Sequence, residues 1–212
     1  MNKQKLRIAI GILSAFLLWT VAVRCVDVAA IGPQESVVGF ATANQFIHNL
    51  TGVHMQLYVI TDWLGLVPIL VCMFFALLGL IQWIKGKHLR TVDRSILILG
   101  GFYIVVMAVY ILFEFVIVNY RPILIDGFLE ASYPSSTTTL VMCVMPTAIT
   151  QCRIRVKHYI LKRCLCLVIT AFILFMVIGR LISGVHWFSD IVGGVLLSSG
   201  LVMLYDSICN FE

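Results

Sequence analysis

Residues 96–118 read ILILGGFYIVVMAVYILFEFVIV, a run of 23 with a single charged side chain, Glu114, and the four residues that follow are Asn119-Tyr120-Arg121-Pro122. Crossing the hydrocarbon of a bilayer takes about 20 mainly apolar residues in a helix, which satisfies its own backbone polar groups. The stretch therefore predicts a spanning helix that stops at the Arg-Pro pair. Five more runs of this kind lie at about 8–30, 64–83, 138–152, 164–182 and 188–208. The fourth in chain order, 138–152, is short and borderline, and its polar ends need shielding by neighbours. With 61% apolar and 12% charged residues in 212, the chain lies far from the soluble balance of about half apolar and a quarter charged. The reading is all-α, a single membrane domain over 1–212 built as a six-transmembrane-helix bundle.

Orientation follows from the basic residues of the short loops. Lys3, Lys5 and Arg7 precede the first run; Lys85, Lys87, Arg90 and Arg94 follow the second; Arg153, Arg155, Lys157, Lys162 and Arg163 follow the fourth. These twelve of the fifteen Lys and Arg fall on one side, so both termini are expected in the cytoplasm. The net charge of +5 is explained by this topology, and nucleic acid is not expected as a partner. The first run has no small-residue cleavage pattern and reads as a retained anchor. The segment 36–50 spaces Val37, Val38, Phe40, Ala41, Asn44, Phe46 and Ile47 in an approximately helical pattern, suited to lying flat in the outer interface. The seven cysteines lie mostly in apolar runs and are odd in number, so no disulfide framework is expected.

Charged side chains in or beside spanning helices are costly and so are functional candidates. The topology collects several at the non-cytoplasmic ends. Arg121 ends the third helix, Pro134-Ser135-Ser136-Thr137 opens the fourth, Arg180 lies near the end of the fifth, and His186 and Asp190 begin the sixth. Two guanidinium groups can grip phosphate oxygens bidentately. Ser135 and Ser136 at a helix start offer hydroxyls and free N–H groups, an anion site. His186 can attack phosphorus, with Asp190, four residues on, bonded to its other ring nitrogen. Each feature alone has a plainer reading: an interfacial ion pair for His186 and Asp190, snorkelling anchors for the arginines, a helix start for the serines. Their convergence on one side favours phosphoryl transfer.

These residues resemble the phosphatidic acid phosphatase type 2 superfamily, whose pattern is KxxxxxxRP, then PSGH, then SRxxxxxHxxxD. The third element is matched by Arg180, His186 and Asp190 at the family's spacing, the first by Arg121-Pro122 and the second by Pro134-Ser135. The resemblance implies a metal-free, cofactor-free membrane lipid phosphatase in which His186 forms a phospho-histidine, Asp190 is its partner, and Arg121, Arg180, Ser135 and Ser136 bind phosphate. In a bacterium this would place the protein in the plasma membrane with the site facing outward. Glu114 stands where the family has Lys, Thr137 where it has a second His, Gly179 in place of Ser and Ser136 in place of Gly. The second His protonates the leaving group, which Thr137 cannot do. A lipid diphosphate, whose leaving phosphate needs no proton, is therefore the expected substrate over a lipid monophosphate. Glu114, two helical turns before Arg121, is expected to pair with Arg121, Arg180 or His186. The alternatives are a catalytically inactive relative that binds lipid phosphates or serves as a partner subunit, and, less favoured, a small transporter.

Overall fold

The structure, a computed structural model, describes residues 2–209. Asn2 accepts the backbone N–H groups of Gln4 and Lys5 and so caps α1, Lys3–Cys25, ahead of its apolar stretch. The helix therefore starts and stops about five residues before the 8–30 expected. Beyond Cys25 the chain turns at Asp27, whose φ is +47°, and enters a two-residue hairpin, β1 Ala29–Ala30 against β2 Val37–Val38. The helix expected over 36–50 is confined to α2, Ala41–Thr51, because the first residues of that segment pair as strand instead.

The second run is longer than expected. α3, Met55–Leu64, and α4, Leu66–Gly86, follow one another through Gly65. Helix geometry reaches back to Met55, where His54 N–H donates to the Ser183 carbonyl and α3 packs on a later helix while still exposing Val59, Ile60 and Trp63. α5, Arg94–Phe115, ends three residues before the 118 expected, and the chain then runs as loop to Ser135. The remaining helices are α6, Ser136–Arg155, α7, Tyr159–Ile182, and α8, Phe188–Ile208. α7 begins five residues before the 164 expected because His158 accepts the Leu161 N–H at its start.

Among the described residues five helical stretches are long and apolar enough to cross a membrane: α1, α3 with α4, α5, α7 and α8. α6 has the length but not the hydropathy, carrying Thr137, Thr138, Thr139, Thr147 and Gln151. Burial explains how it is tolerated. α6 packs against α4, α5, α7 and α8, which cover nine of its side chains. α8 is the other central helix, with half of its apolar window buried against 11–22% for the other four. Its small residues allow this: α1 lies so close that a methyl group added at Gly200 would sit 2.7 Å from Leu13. Phe16, Leu99, Phe102, Tyr133, Leu197 and Tyr205 form the main core between these helices. The outer faces of α1, α4, α5 and α7 expose Leu18, Phe74, Ile104 and Leu174, suited to lipid contact.

Candidate active site

The loop between α5 and α6 folds back on itself. Tyr120 pairs antiparallel with Ala131, Arg121 N–H donates to the Glu130 carbonyl at 3.0 Å, and Ser132 N–H donates to the Asn119 carbonyl at 2.9 Å. The return is made at Asp126 and Gly127, both at positive φ, where glycine carries no Cβ penalty. This pairing sets Arg121 and Ser132 side by side over the start of α8. The Trp187 indole fastens the loop there by donating to the Tyr120 carbonyl at 2.8 Å. From the other side, Asn44 of α2 accepts the Ser189 N–H at 3.0 Å and donates to its hydroxyl at 2.9 Å.

His186 lies in the turn between α7 and α8 and is 3% exposed. Its Nε2 is 3.4 Å from Arg121 Nη1 and 3.5 Å from Arg180 Nη2. Burial, and then the two guanidinium charges, hold its pKa well below the ordinary histidine value, so the imidazole is neutral near pH 7. Its Nδ1 lies 3.2 Å from both the hydroxyl and the carbonyl oxygen of Ser132. Sequence spacing suggests a direct bond from His186 to Asp190, and here the structure differs. Among the described residues no His186 nitrogen lies within 4 Å of an Asp190 oxygen. The Asp190 carboxylate is turned into the helix start, where it accepts Trp187 N–H at 3.0 Å, Asn119 Nδ2 at 3.1 Å and a short hydrogen bond from the Ser132 hydroxyl. Four residues put the two side chains on one face only if both are helical, and His186 precedes the first turn of α8.

The arginines are held from α3 as well. The Tyr58 ring lies under Arg180, with the guanidinium carbon 4.9 Å from its centroid, and 6.0 Å from Arg121. Shared cation–π attraction offsets part of the repulsion between the two cations. Asp62, without a role in the sequence reading, is an ion-pair partner of Arg180 at 3.6 Å, and Thr61 accepts from the same nitrogen at 3.4 Å. Gly179 is explained by this contact, since any Cβ there would lie 2.9 Å from the Thr61 methyl. Arg121 pairs with Glu130, whose carboxylate lies 2.9 Å from Nε though off the N–H direction. The expectation for Glu114 is therefore corrected. It makes no ion pair with Arg121, Arg180 or His186 among the described residues, because Glu130 and Asp62 lie nearer the arginines.

A cavity of about 500 Å³ opens beside His186, lined by Arg121, Glu114, Tyr110, Ser132, Ser136 and Thr139 among others. Ser135 does not line it. It is fully buried, its N–H donates to the Asp190 carbonyl at 3.1 Å, and its hydroxyl has no partner among the described residues. Thr137 turns instead toward the junction of α3 and α4, where a methyl group at Gly65 would sit 3.6 Å from its own. Sequence reasoning thus singled out Arg121, Arg180, His186 and Asp190, which the fold brings together. It missed Ser132, Asn119, Tyr58, Thr61 and Glu130, none of which stands at a motif position. No group of three or more His, Cys, Asp or Glu side chains is placed to hold a metal among the described residues.

Residues 115–208, which contain most of these groups, match the PAP2 superfamily model. The fold resembles that in the crystal structure of the first transmembrane PAP2 type phosphatidylglycerolphosphate phosphatase from Bacillus subtilis. The TM-score is 0.57 at 17% identity, over 96% of this chain and 98% of that one. No curated protein matches the sequence.

Proposed function

We propose that this chain, which carries a PAP2 superfamily segment over residues 115–208, is a membrane lipid phosphatase that works on the non-cytoplasmic face and prefers a lipid diphosphate. The observation that carries the reading is His186 Nε2, neutral and set 3.4 and 3.5 Å from two guanidinium groups. A phosphoryl group placed there meets a nucleophile and two cations together. In the proposed reaction Nε2 forms a bond to phosphorus as the bond to the leaving oxygen breaks. Arg121, Arg180, Ser136 and the first N–H groups of α6 take up the charge on the other oxygens. Water then displaces His186 from phosphorus and regenerates the imidazole.

Thr137 supports the diphosphate preference. It stands at the family's general-acid position, is directed toward Gly65, and has no proton to give at neutral pH. Such a donor contributes on the order of 10²–10⁴ in rate when an alkoxide leaves and little when phosphate leaves. The topology is six spans with both termini cytoplasmic, and in a bacterium the membrane is the plasma membrane. Supporting this, Asn2 N–H bonds the Ser207 carbonyl at 2.8 Å, so the basic N-terminus and the end of α8 lie together, at the opposite end of α8 from His186 and Asp190.

Thr137 and Glu114 at two motif positions favour a second reading, a relative that binds lipid phosphates without turning them over. One experiment separates the two. Phosphate release from a polyprenyl diphosphate and from phosphatidic acid is followed in detergent, with His186→Ala alongside. Release from the diphosphate, slower from phosphatidic acid and abolished in the variant, is the expected result. Binding of either lipid without release supports the second reading, and equal turnover of the two lipids removes the diphosphate preference.

A further inference from the structure

We infer that Ser132 is a positioning residue for His186, its hydroxyl being the link through which Asp190 holds the imidazole. The inference rests on His186 as the nucleophile of the proposed reaction. Hydrogen-bond accounting carries it. Nε2 faces only guanidinium N–H donors, at 3.4 and 3.5 Å, so this nitrogen is the acceptor and the proton resides on Nδ1. Nδ1–H has two acceptors in reach, the Ser132 hydroxyl and carbonyl oxygens, both at 3.2 Å. The Ser132 hydroxyl has a single proton, which goes to the Asp190 carboxylate in the short bond between them. Asp190 is otherwise ringed by donors, Trp187 N–H and Asn119 Nδ2, so its orientation leaves no direct bond to His186. The chain is therefore Nδ1–H to Oγ–H to carboxylate.

This arrangement fixes the tautomer in which Nε2 carries no proton and keeps its lone pair for phosphorus. It also connects the one fully buried carboxylate of the cluster to the ring that becomes cationic as phosphorus is attacked. The other charged groups near the ring, Arg121 and Arg180, face Nε2, and their carboxylate partners Glu130 and Asp62 are both substantially exposed. Ser132 itself is 3% exposed and is held by its N–H bond to Asn119, the residue that also donates to Asp190. Backbone pairing in the loop thus sets the position of the hydroxyl. Of the two acceptors on Ser132, only the hydroxyl is lost on substitution by alanine, so the variant isolates the link.

The test uses the full chain in detergent with farnesyl diphosphate as the probe, in wild type, Ser132→Ala, Ser132→Thr, Asp190→Asn and the Ser132→Ala/Asp190→Asn double variant. Ser132→Ala is expected to lower kcat by about 10–100-fold with KM nearly unchanged, the range for partners that orient a reacting group. Ser132→Thr keeps the hydroxyl and is expected to recover most of the rate. The double variant is expected to be no slower than Asp190→Asn by more than about threefold, since both changes cut one chain. A merely structural serine would give additive losses and no rescue by threonine, and either result overturns the proposal. Turnover by Ser132→Ala equal to wild type overturns it while leaving His186 as nucleophile. A wild-type protein without turnover removes the nucleophile reading and the proposal with it.

Discussion

Arg155 and the pair Arg121 and Arg180 lie in the same helix bundle but are bonded very differently. At the end of the bundle away from His186, Arg155 Nη1 meets Asp93 at 2.9 Å, Nη2 meets the Ser95 hydroxyl at 2.9 Å and Nε meets the Gln151 side chain at 3.0 Å. Gln151 continues to the Tyr205 hydroxyl at 3.2 Å, and Gln82 secures Asp93, so α4, α5, α6 and α8 are tied by one network. At the other end the closest acceptors of the Arg180 guanidinium lie at 3.4 to 3.6 Å, and its buried Nε has none among the described residues. Buried donors are ordinarily satisfied, and leaving one unpaired costs about 1–3 kcal/mol. An arginine that joins helices has its donors filled by the protein. In the proposed function the unfilled donors are the ones that meet an incoming phosphate.

The largest effects should come from exchanging the two kinds. Arg121→Lys or Arg180→Lys is expected to lower kcat/KM for a lipid diphosphate by about 10²–10³-fold, because an ammonium keeps the charge but not the planar fork that meets phosphate oxygens. Thermal unfolding in detergent should hardly change. Either variant retaining wild-type turnover would break the contrast. Arg155→Met should do the reverse, leaving kcat in place while reducing stability by about 1–3 kcal/mol, as Asp93 and Gln151 lose a charged donor. A loss of activity without loss of stability would show that the network reaches the site.

The pH profile sharpens the same comparison. With the His186 pKa lowered by burial and by its two arginines, the reactive neutral imidazole persists below pH 6.5 and is lost only as pH falls through the depressed value. After correction for ionisation of the substrate, the acid limb of kcat/KM should lie below the ordinary histidine range. Arg121→Met removes a cation and should move that limb to higher pH, and an unmoved limb would assign it to another group. The smallest expected effect concerns Gly179. Gly179→Ser places a Cβ 2.9 Å from the Thr61 methyl and should cost about 1–3 kcal/mol of stability, recovered in combination with Thr61→Ala.

Much of the architecture was legible in the residues because lipid imposes a length and a polarity on each span. The runs at 96–118 and 188–208 read directly as helices, and the latter has the bounds seen for α8. α6 was hard to read because its threonines are covered by other helices and so escape the demand for apolarity. Helix starts at Lys3 and Tyr159 depended on capping by Asn2 and His158. The extension of α3 depended on its packing against α7, which hydropathy does not record.

That Arg121, Arg180, His186 and Asp190 gather at one end of the bundle is readable from the residues, because each borders an apolar run and alternate runs return to the same end. Which of them bond to one another depends on how the helices and loops pack. Glu130 takes Arg121 and Asp62 takes Arg180, so that Glu114 makes no ion pair among the described residues, and Ser132 stands between His186 and Asp190. Spacing along a helix reports neighbours on that helix. It says nothing of a loop folding back through its own backbone pairing to set a hydroxyl between them.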